Sequence, residues 1–337
     1  FDGWKGYRLA LAATIAQAPN GDILCCWMSG SDKEPADDNC ILLARSTDRG
    51  KTWSEPQLWL PPIESEHTPG RTMAAAIGAL YTTADGRMIL IGYHLPADKH
   101  YTEEHPFRIE SRDSGYTWSD PEYQVLRPRN DAVTTHSPIA LCTGEFLFPG
   151  QFFERRPHPL VAPVDRLVHA SSEQEALGMS AGQGRSASKF ATHLHGCSAF
   201  ISPHQDGREM VEYGHIANRP LGLLEPTCVR LKDGRVVMLM RAEWGGYLWR
   251  AESKDNGRTW TEAWETGIPN PSSKAHLVRL PHGRIALLHN ATGQRGVWGR
   301  RDPLSIWISD DEMESWSIQE DVLHGGMLAY PNGMVLD

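Results

Sequence analysis

Apolar residues along this chain come in short bursts separated by polar turns, and no stretch repeats with the 3.6-residue period of a helix. The bursts DILCCWM, RMILIGY, EFLFPG, RVVMLMR and RIALLHN each follow a turn dipeptide: Asn20-Gly21, Asp85-Gly86, Thr143-Gly144, Asp233-Gly234 and His282-Gly283. Apolar runs joined this way predict antiparallel hairpins. A second series runs through the same chain: STDRGKTW (Ser46 to Trp53), SRDSGYTW (Ser111 to Trp118), SKDNGRTW (Ser253 to Trp260) and a worn copy, SDDEMESW (Ser309 to Trp316). In this Ser-x-Asp-x-Gly-x-x-Trp pattern the Asp accepts N–H bonds of its own turn and Gly supplies a positive φ. Trp is expected to pack between neighbouring units. After Gly144 the only counterpart is the degenerate SPHQDG, Ser202 to Gly207.

Repeats made only of short strands and turns predict a radial array of four-stranded sheets, an all-β β-propeller. Five blades are visible and a sixth begins near HGGMLAYPNGMVLD. Six is the expected total, with the last blade closed by strands from both chain ends and incomplete here, since the stretch before Arg8 has room for one short strand. The expectation is a single propeller domain over 1–337, with an insertion at about 151–205 on the third blade that forms a loop over one face. The insertion carries His158, His169, His193 and His195. His193-x-His195 has the spacing of a metal pair on one side of a strand. No cysteine or carboxylate set accompanies it, so no metal and no cofactor is assigned.

Composition changes the picture in three ways. With 337 residues, 40% of them hydrophobic, the chain can bury a large core. Its net charge of −9 argues against nucleic acid or an anionic membrane as a general partner, and no apolar run is long enough to span a bilayer. The six cysteines show no C-x-x-C spacing and several sit inside apolar runs, so buried free thiols are expected.

In a propeller the innermost strand of each blade lines a central channel, and residues at a fixed distance before each turn converge on one mouth. Such places hold Glu225, His136 and His276, and strand ends add Arg241, His94, His289 and the Arg300-Arg301 pair. Acid, imidazole and guanidinium together predict a pocket for a polar, anionic ligand. Each residue also has a structural reading, as a strand-end carboxylate, an inter-blade ion pair or a core histidine.

The segments LLEPTCVRLKDGRVVMLMR, GIPNPSSKAHLVRLPHGRIALLHN and RRDPLSIWISDD, with the four turns, resemble the sialidase (neuraminidase) superfamily. The likeness is to its branch of Asp-box, BNR-repeat bacterial proteins and covers nearly the whole chain. It implies a six-bladed sialidase-like fold, an arginine triad for the substrate carboxylate, a Tyr nucleophile paired with a Glu, and an Asp acid on a loop of the first blade. Position by position, Glu225 in LLEPT matches the Glu, Arg241 and Arg301 match triad members, and Tyr330 in MLAYPNG matches the nucleophile. Asp37, or its neighbour Asp38, lies in SGSDKEPADDN where the acid is expected. The first triad arginine departs from the family pattern: Arg8 stands too far before Gly21 and lacks the family's Arg-Ile-Pro motif. Arg71, in HTPGRTMAAA, is the substitute from the next blade.

The resemblance implies an exo-acting glycoside hydrolase that releases a terminal acidic sugar from a glycan by a retaining Tyr/Glu plus Asp mechanism, without a cofactor. The sugar would be sialic acid or a related nonulosonic or uronic sugar. A phenol needs a neighbouring carboxylate to take its proton, and arginine's planar fork suits a carboxylate. Two alternatives stand beside it: a lyase or rhamnosidase-like propeller acting on uronic-acid glycans with His, Tyr and Arg, and a non-catalytic glycan-binding propeller.

Overall fold

The computed structural model describes residues 5–31, 33–65, 69–97, 103–127, 132–155, 193–217, 222–243, 245–293 and 301–336. Of the sequence candidates, His158, His169 and Arg300 lie outside them, as does most of the expected insertion. The chain falls into two compact units.

The first unit comprises Phe1–Pro138, Ser202–Met210 and Asn332–Asp337. It contains the antiparallel sheet β1 (Leu11–Gln17), β2 (Ile23–Ser29), β3 (Cys40–Ser46) and β4 (Gln57–Leu60), paired in chain order. A second sheet follows, again in chain order: β5 (Ile63–Glu64), β6 (Thr72–Thr82), β7 (Met88–Leu95), β8 (His105–Ser111) and β9 (Glu122–Tyr123). A short strand, β10 (Ala132–Thr134), lies against β6. Leu24 and Ile41 of the first sheet pack with Leu80, Leu90 and Phe107 of the second in one cluster.

The second unit, Ile139–Ile201 and Val211–Pro331, holds three sheets of the same plan. These are β11 (Ile139–Ala140), β12 (Phe146–Arg155), β13 (His193–Ser202) and β14 (Val211–Ile216); β15 (Leu223–Arg230), β16 (Val236–Ala242), β17 (Gly246–Ser253) and β18 (Trp264–Asn270); and β19 (His276–Arg279), β20 (Ile285–His289), β21 (Leu304–Ser309) and β22 (Ile318–Leu323). Side chains alternate across a strand, and β16 uses both faces. Val236, Met238 and Met240 pack on Leu147 and Cys197, while Val237 and Leu239 pack on Leu277 and Leu287. Burial on both sides is why RVVMLMR reads as an unbroken apolar run.

Each Ser-x-Asp turn connects the last two strands of its own sheet. In the copy at Ser253, the serine Oγ accepts the Gly257 N–H at 2.7 Å and donates to Asp255 at 2.8 Å. Asp255 accepts the Thr259 N–H at 2.8 Å, and Trp260 donates to the Gly257 carbonyl at 2.8 Å. Gly257 has φ +86°, and a Cβ there would lie 2.5 Å from Leu147 of the preceding sheet. Gly115, at φ +80°, meets Leu24 in the same way. These two turns are thus seated on the core of the sheet before each, and Trp follows: Trp118 lies 4.8 Å from Trp59, and Trp260 closes on Gly214. The worn copy keeps the turn. Ser309 accepts the Met313 N–H at 2.8 Å, Asp311 accepts the Ser315 N–H at 2.9 Å, and Met313, at φ 71°, buries its side chain in the seam that Gly would have left empty. In the degenerate copy His204 stands at the Asp position, and buried Asp206, two residues on, accepts Arg87 at 2.7 Å.

The described residues therefore form five blade-type sheets. A sixth, expected from the chain ends, is not formed by residues 5–10 or 324–336, which carry no strand beyond a single bridge at Tyr7. All six cysteines are free, and of these Cys142 is exposed.

Because Ser253 is buried and its oxygen serves the buried Gly257 N–H, Ser253→Ala is expected to lower stability by about 1–3 kcal/mol. Ser315→Ala, in the exposed part of the worn turn, is expected to cost much less. Urea unfolding midpoints of the two variants check the difference.

Candidate functional site

Glu225, Arg241, Arg301 and Tyr330, drawn from four separate stretches of sequence, come together within the second unit. Glu225 lies in β15 at a bulge: Leu224 pairs with Arg241 and Thr227 with Leu239, so Glu225 and Pro226 together face the single residue Met240. A bulge re-aims a side chain that regular pairing would send elsewhere. Glu225 adopts φ 49°, and its N–H is held at 2.9 Å by the Gln151 side chain of β12.

Arg241, near the end of β16, is the hub. Its Nη1 donates to Glu225 Oε2 at 2.7 Å and to the Tyr330 hydroxyl oxygen at 3.2 Å, and its Nε donates to Ser272 Oγ at 3.0 Å. The Ser272 hydroxyl donates to the Glu243 carbonyl at 2.7 Å, and the Ser272 carbonyl accepts Arg301 Nη2 at 2.9 Å. The Arg301 guanidinium carbon stands 5.1 Å from the centre of the Tyr330 ring, within cation–π range. Tyr330 follows β22 in a segment without strand. That segment is anchored by Leu328, whose N–H donates to the Arg301 carbonyl at 2.9 Å and whose carbonyl accepts the buried Asn290 amide at 2.9 Å.

Three non-glycine residues of this cluster are left-handed: Glu225, Ser272 (φ 60°) and Tyr330 (φ 59°). Each such residue costs on the order of 1 kcal/mol and persists only where its surroundings over-determine it. Here the guanidinium contacts do so.

Burial alone would raise the Glu225 carboxyl. Arg241, helped by Lys274 and Arg301, outweighs that and holds it below the ordinary glutamate range, so it is ionised at neutral pH. Arg241 is in turn pushed up by Glu225, Tyr330 and Glu243 against the opposing effect of its burial.

Sequence reasoning missed four participants: Gln151, Ser272, Glu243 and Lys274. Glu243 Oε2 lies 2.7 Å from His195 Nδ1, both side chains being almost fully buried, so the one histidine of the His193-x-His195 pair that is deeply buried faces a carboxylate. Among the described residues no group of three or more His, Cys, Asp or Glu is placed to hold a metal. Lys274 is buried in the approach to β19, and burial pulls its amine down to about 8 although Glu225 pushes it back up. Register could have found it. Glu225 stands nine residues before Gly234, and Lys274 nine before Gly283.

The remaining candidates belong to the first unit. Arg8 is exposed, and its backbone N–H donates to the Gly30 carbonyl at 2.8 Å. Asp37 is exposed, while Asp38 accepts the Ser31 N–H at 2.9 Å. Arg71 lies 3.8 Å from Glu103. His136 is buried with Nδ1 3.4 Å from the Thr135 hydroxyl. His94 is a core histidine, stacked 4.6 Å from Phe107 and bonded to the Tyr123 hydroxyl at 3.0 Å, and burial lowers it to about 4. In the second unit His289 is likewise buried, 3.3 Å from the Pro269 carbonyl, and lowered to about 4.

Residues 21–336 match the family described as a BNR repeat-like domain. The chain is 26% identical to a sialidase of Micromonospora viridifaciens, an alignment that takes in 98% of this chain and 48% of that protein. It thus spans about half the length of the curated relative it matches. Among solved structures it is similar to the Hadza microbial sialidase Hz136, with TM-score 0.70, 16% identity, 95% of this chain and 60% of the other. It is also similar to a protein of unknown function from Dyadobacter fermentans, with TM-score 0.70, 17% identity and 99% and 89% coverage. The leech intramolecular trans-sialidase follows at TM-score 0.61 and 13% identity, over 90% of this chain and 58% of that one. These likenesses fix the fold as the all-β propeller type.

Removing one member of a buried ion pair strands the other, so Arg241→Met is expected to cost about 3–5 kcal/mol at pH 7. The sign with pH follows from Glu225. Its lowered folded-state value makes the ion-pair contribution complete above about 4.5, its ordinary value, and lost as pH falls through the folded value. The stability gap between wild type and Arg241→Met should therefore narrow in acid, which urea unfolding across pH 3–7 measures.

Proposed function

The chain belongs to the BNR repeat-like family of the sialidase superfamily, and we propose that it is an exo-acting glycoside hydrolase releasing a terminal carboxylated sugar from a glycan. The sugar is sialic acid or a related nonulosonic or uronic sugar. One observation carries this reading: a single guanidinium nitrogen of Arg241 touches both the Glu225 carboxylate and the Tyr330 phenol, with Arg301 at the phenol's face.

Arg301, together with the Arg241 nitrogen that Glu225, Tyr330 and Ser272 do not engage, binds the sugar's carboxylate. Glu225, ionised at neutral pH, takes the phenolic proton as Tyr330 Oη bonds to the anomeric carbon and the glycosidic bond breaks. The guanidinium that donates to the phenolic oxygen stabilises the negative charge developing there. The leaving oxygen takes its proton from an acid, assigned to Asp37 on its sequence context alone. Water then attacks the anomeric carbon of the glycosyl-tyrosine and gives a proton to the carboxylate of the former acid, while Glu225 returns the phenolic proton to Tyr330 Oη as the sugar–tyrosine bond breaks, and configuration at the anomeric carbon is retained. Arg8, Arg71 and His136 are further candidates for sugar contacts, again on sequence context.

Fluorogenic glycosides of sialic, nonulosonic and uronic acids test the proposal. Release of the fluorophore is expected from at least one, with kcat reduced about 10²–10⁴-fold in Glu225→Gln and at least as much in Tyr330→Phe. A product absorbing in the near ultraviolet would instead mark elimination, and binding without release would mark a glycan-binding protein. Undiminished turnover by Tyr330→Phe would end the Tyr/Glu mechanism.

A further inference from the structure

We propose that Lys274 is a third cation of this cluster, beside Arg241 and Arg301, and contacts the carboxylate of the bound acidic sugar. This inference rests on the acidic-glycan reading above.

Register is the first support. Lys274 holds the place in its repeat that Glu225 holds in the preceding one, the same number of residues ahead of the hairpin glycine. Equivalent positions of adjacent sheets approach one another, and Glu225 is the charged group that acts on the Lys274 amine. The second support is the turn that delivers the lysine. Asn270 and Ser273 close it with two 2.9 Å bonds, side-chain amide to carbonyl and backbone N–H to side-chain oxygen. Between them Ser272 is gripped by both arginines, its hydroxyl by Arg241 and its carbonyl by Arg301. Lys274 thus emerges from a turn whose position the two substrate-carboxylate arginines fix.

The third support is charge. Arg241, Lys274 and Arg301 all act on Glu225, Arg241 also feels Glu243, and Glu243 is engaged by His195. Of these five described groups three are cations and two are carboxylates, an excess of one that an anionic ligand would balance. A lysine is a compact point charge on a flexible stem and reaches a carboxylate edge that a planar fork, fixed by Ser272 and Glu225, does not.

The groups around the lysine allow a clean readout. Glu225 acts electrostatically on it, Arg241 and Arg301 act on Glu225, and His276, two residues on, is buried, while the Leu277 N–H ties β19 to the Thr227 hydroxyl of β15 at 3.0 Å. Guanidinium charge persists throughout the accessible pH range, whereas this amine is charged below about 8 and neutral above. Affinity for an acidic sugar therefore falls as pH rises through that value.

Calorimetric binding of free N-acetylneuraminic, glucuronic and galacturonic acids at about pH 6.5 and about pH 9.5 brackets the transition. Wild type should bind at least one acid about tenfold more weakly at the higher pH. Lys274→Arg should hold its affinity at both. Lys274→Met should be about tenfold weaker at the lower pH and flat between the two. A merely structural lysine would leave ligand affinity and its pH dependence unmoved while shifting the thermal midpoint. If Lys274→Met does not fold, the comparison of wild type with Lys274→Arg decides. Equal affinity of Lys274→Met and wild type, an unchanging wild-type affinity, or wild-type binding of none of the three acids overturns the assignment. The expected binding pattern without cleavage of any glycoside leaves Lys274 in place and removes only the hydrolase reading.

Discussion

A buried guanidinium cannot leave its donors unpaired, and that requirement at Arg241 organises everything around it. Three oxygens answer it, from Glu225, Ser272 and Tyr330, and each sits on a residue whose backbone is left-handed. Regular strands would have pointed those side chains elsewhere. The bulge in β15, the turn after β18 and the anchored segment after β22 are three local departures from regular geometry that meet one cation's demand. The strain they carry is offset by charge-assisted hydrogen bonds, roughly twice as strong as neutral ones.

The same contact resolves a tension in the proposed chemistry. The cations that keep Glu225 ionised also make it a weaker base, which works against deprotonating a phenol. But carboxylate and phenol share one nitrogen of Arg241. Moving the proton from Tyr330 to Glu225 carries negative charge from one oxygen to another around a fixed positive centre. The attraction lost at the carboxylate is largely regained at the phenolate, without solvent reorganisation.

The sequence was most legible where one physical demand recurs. A hairpin glycine marks every sheet and a Ser-x-Asp turn marks four of the five, because seating a turn on its neighbour's core admits few residues: a Cβ at Gly257 or Gly115 would strike a leucine. Met313 shows the limit of such reading, since a residue that breaks the pattern preserves both the positive φ and the hydrogen bonds. Glu225, Arg241, Arg301 and Tyr330 were legible through a family resemblance that carried their spacing. Ser272 and Glu243 were not, because one acts through its carbonyl and hydroxyl together and the other takes its histidine partner from a distant strand. Lys274 and Glu225 were both within reach of register counting, yet only the carboxylate had a chemical role that drew attention. His94 and His289 show the opposite case: polar residues at suggestive positions that structure commits to the core.

The charge of the whole molecule and that of its site point in opposite directions, and distance reconciles them. The chain carries −9 overall, which repels an anionic ligand from afar. At physiological ionic strength that field decays over about 8 Å, so it scarcely reaches a ligand approaching the site. Contact inside the cluster is different. Arg241 and Arg301 are largely removed from water, where a charge-assisted bond to a carboxylate is poorly screened. Selection for the anion therefore happens at contact and not by long-range steering. For the proposed function, an acidic chain with a buried basic site would favour a ligand bearing a single carboxylate over highly charged polymers, for which the repulsion adds along their length.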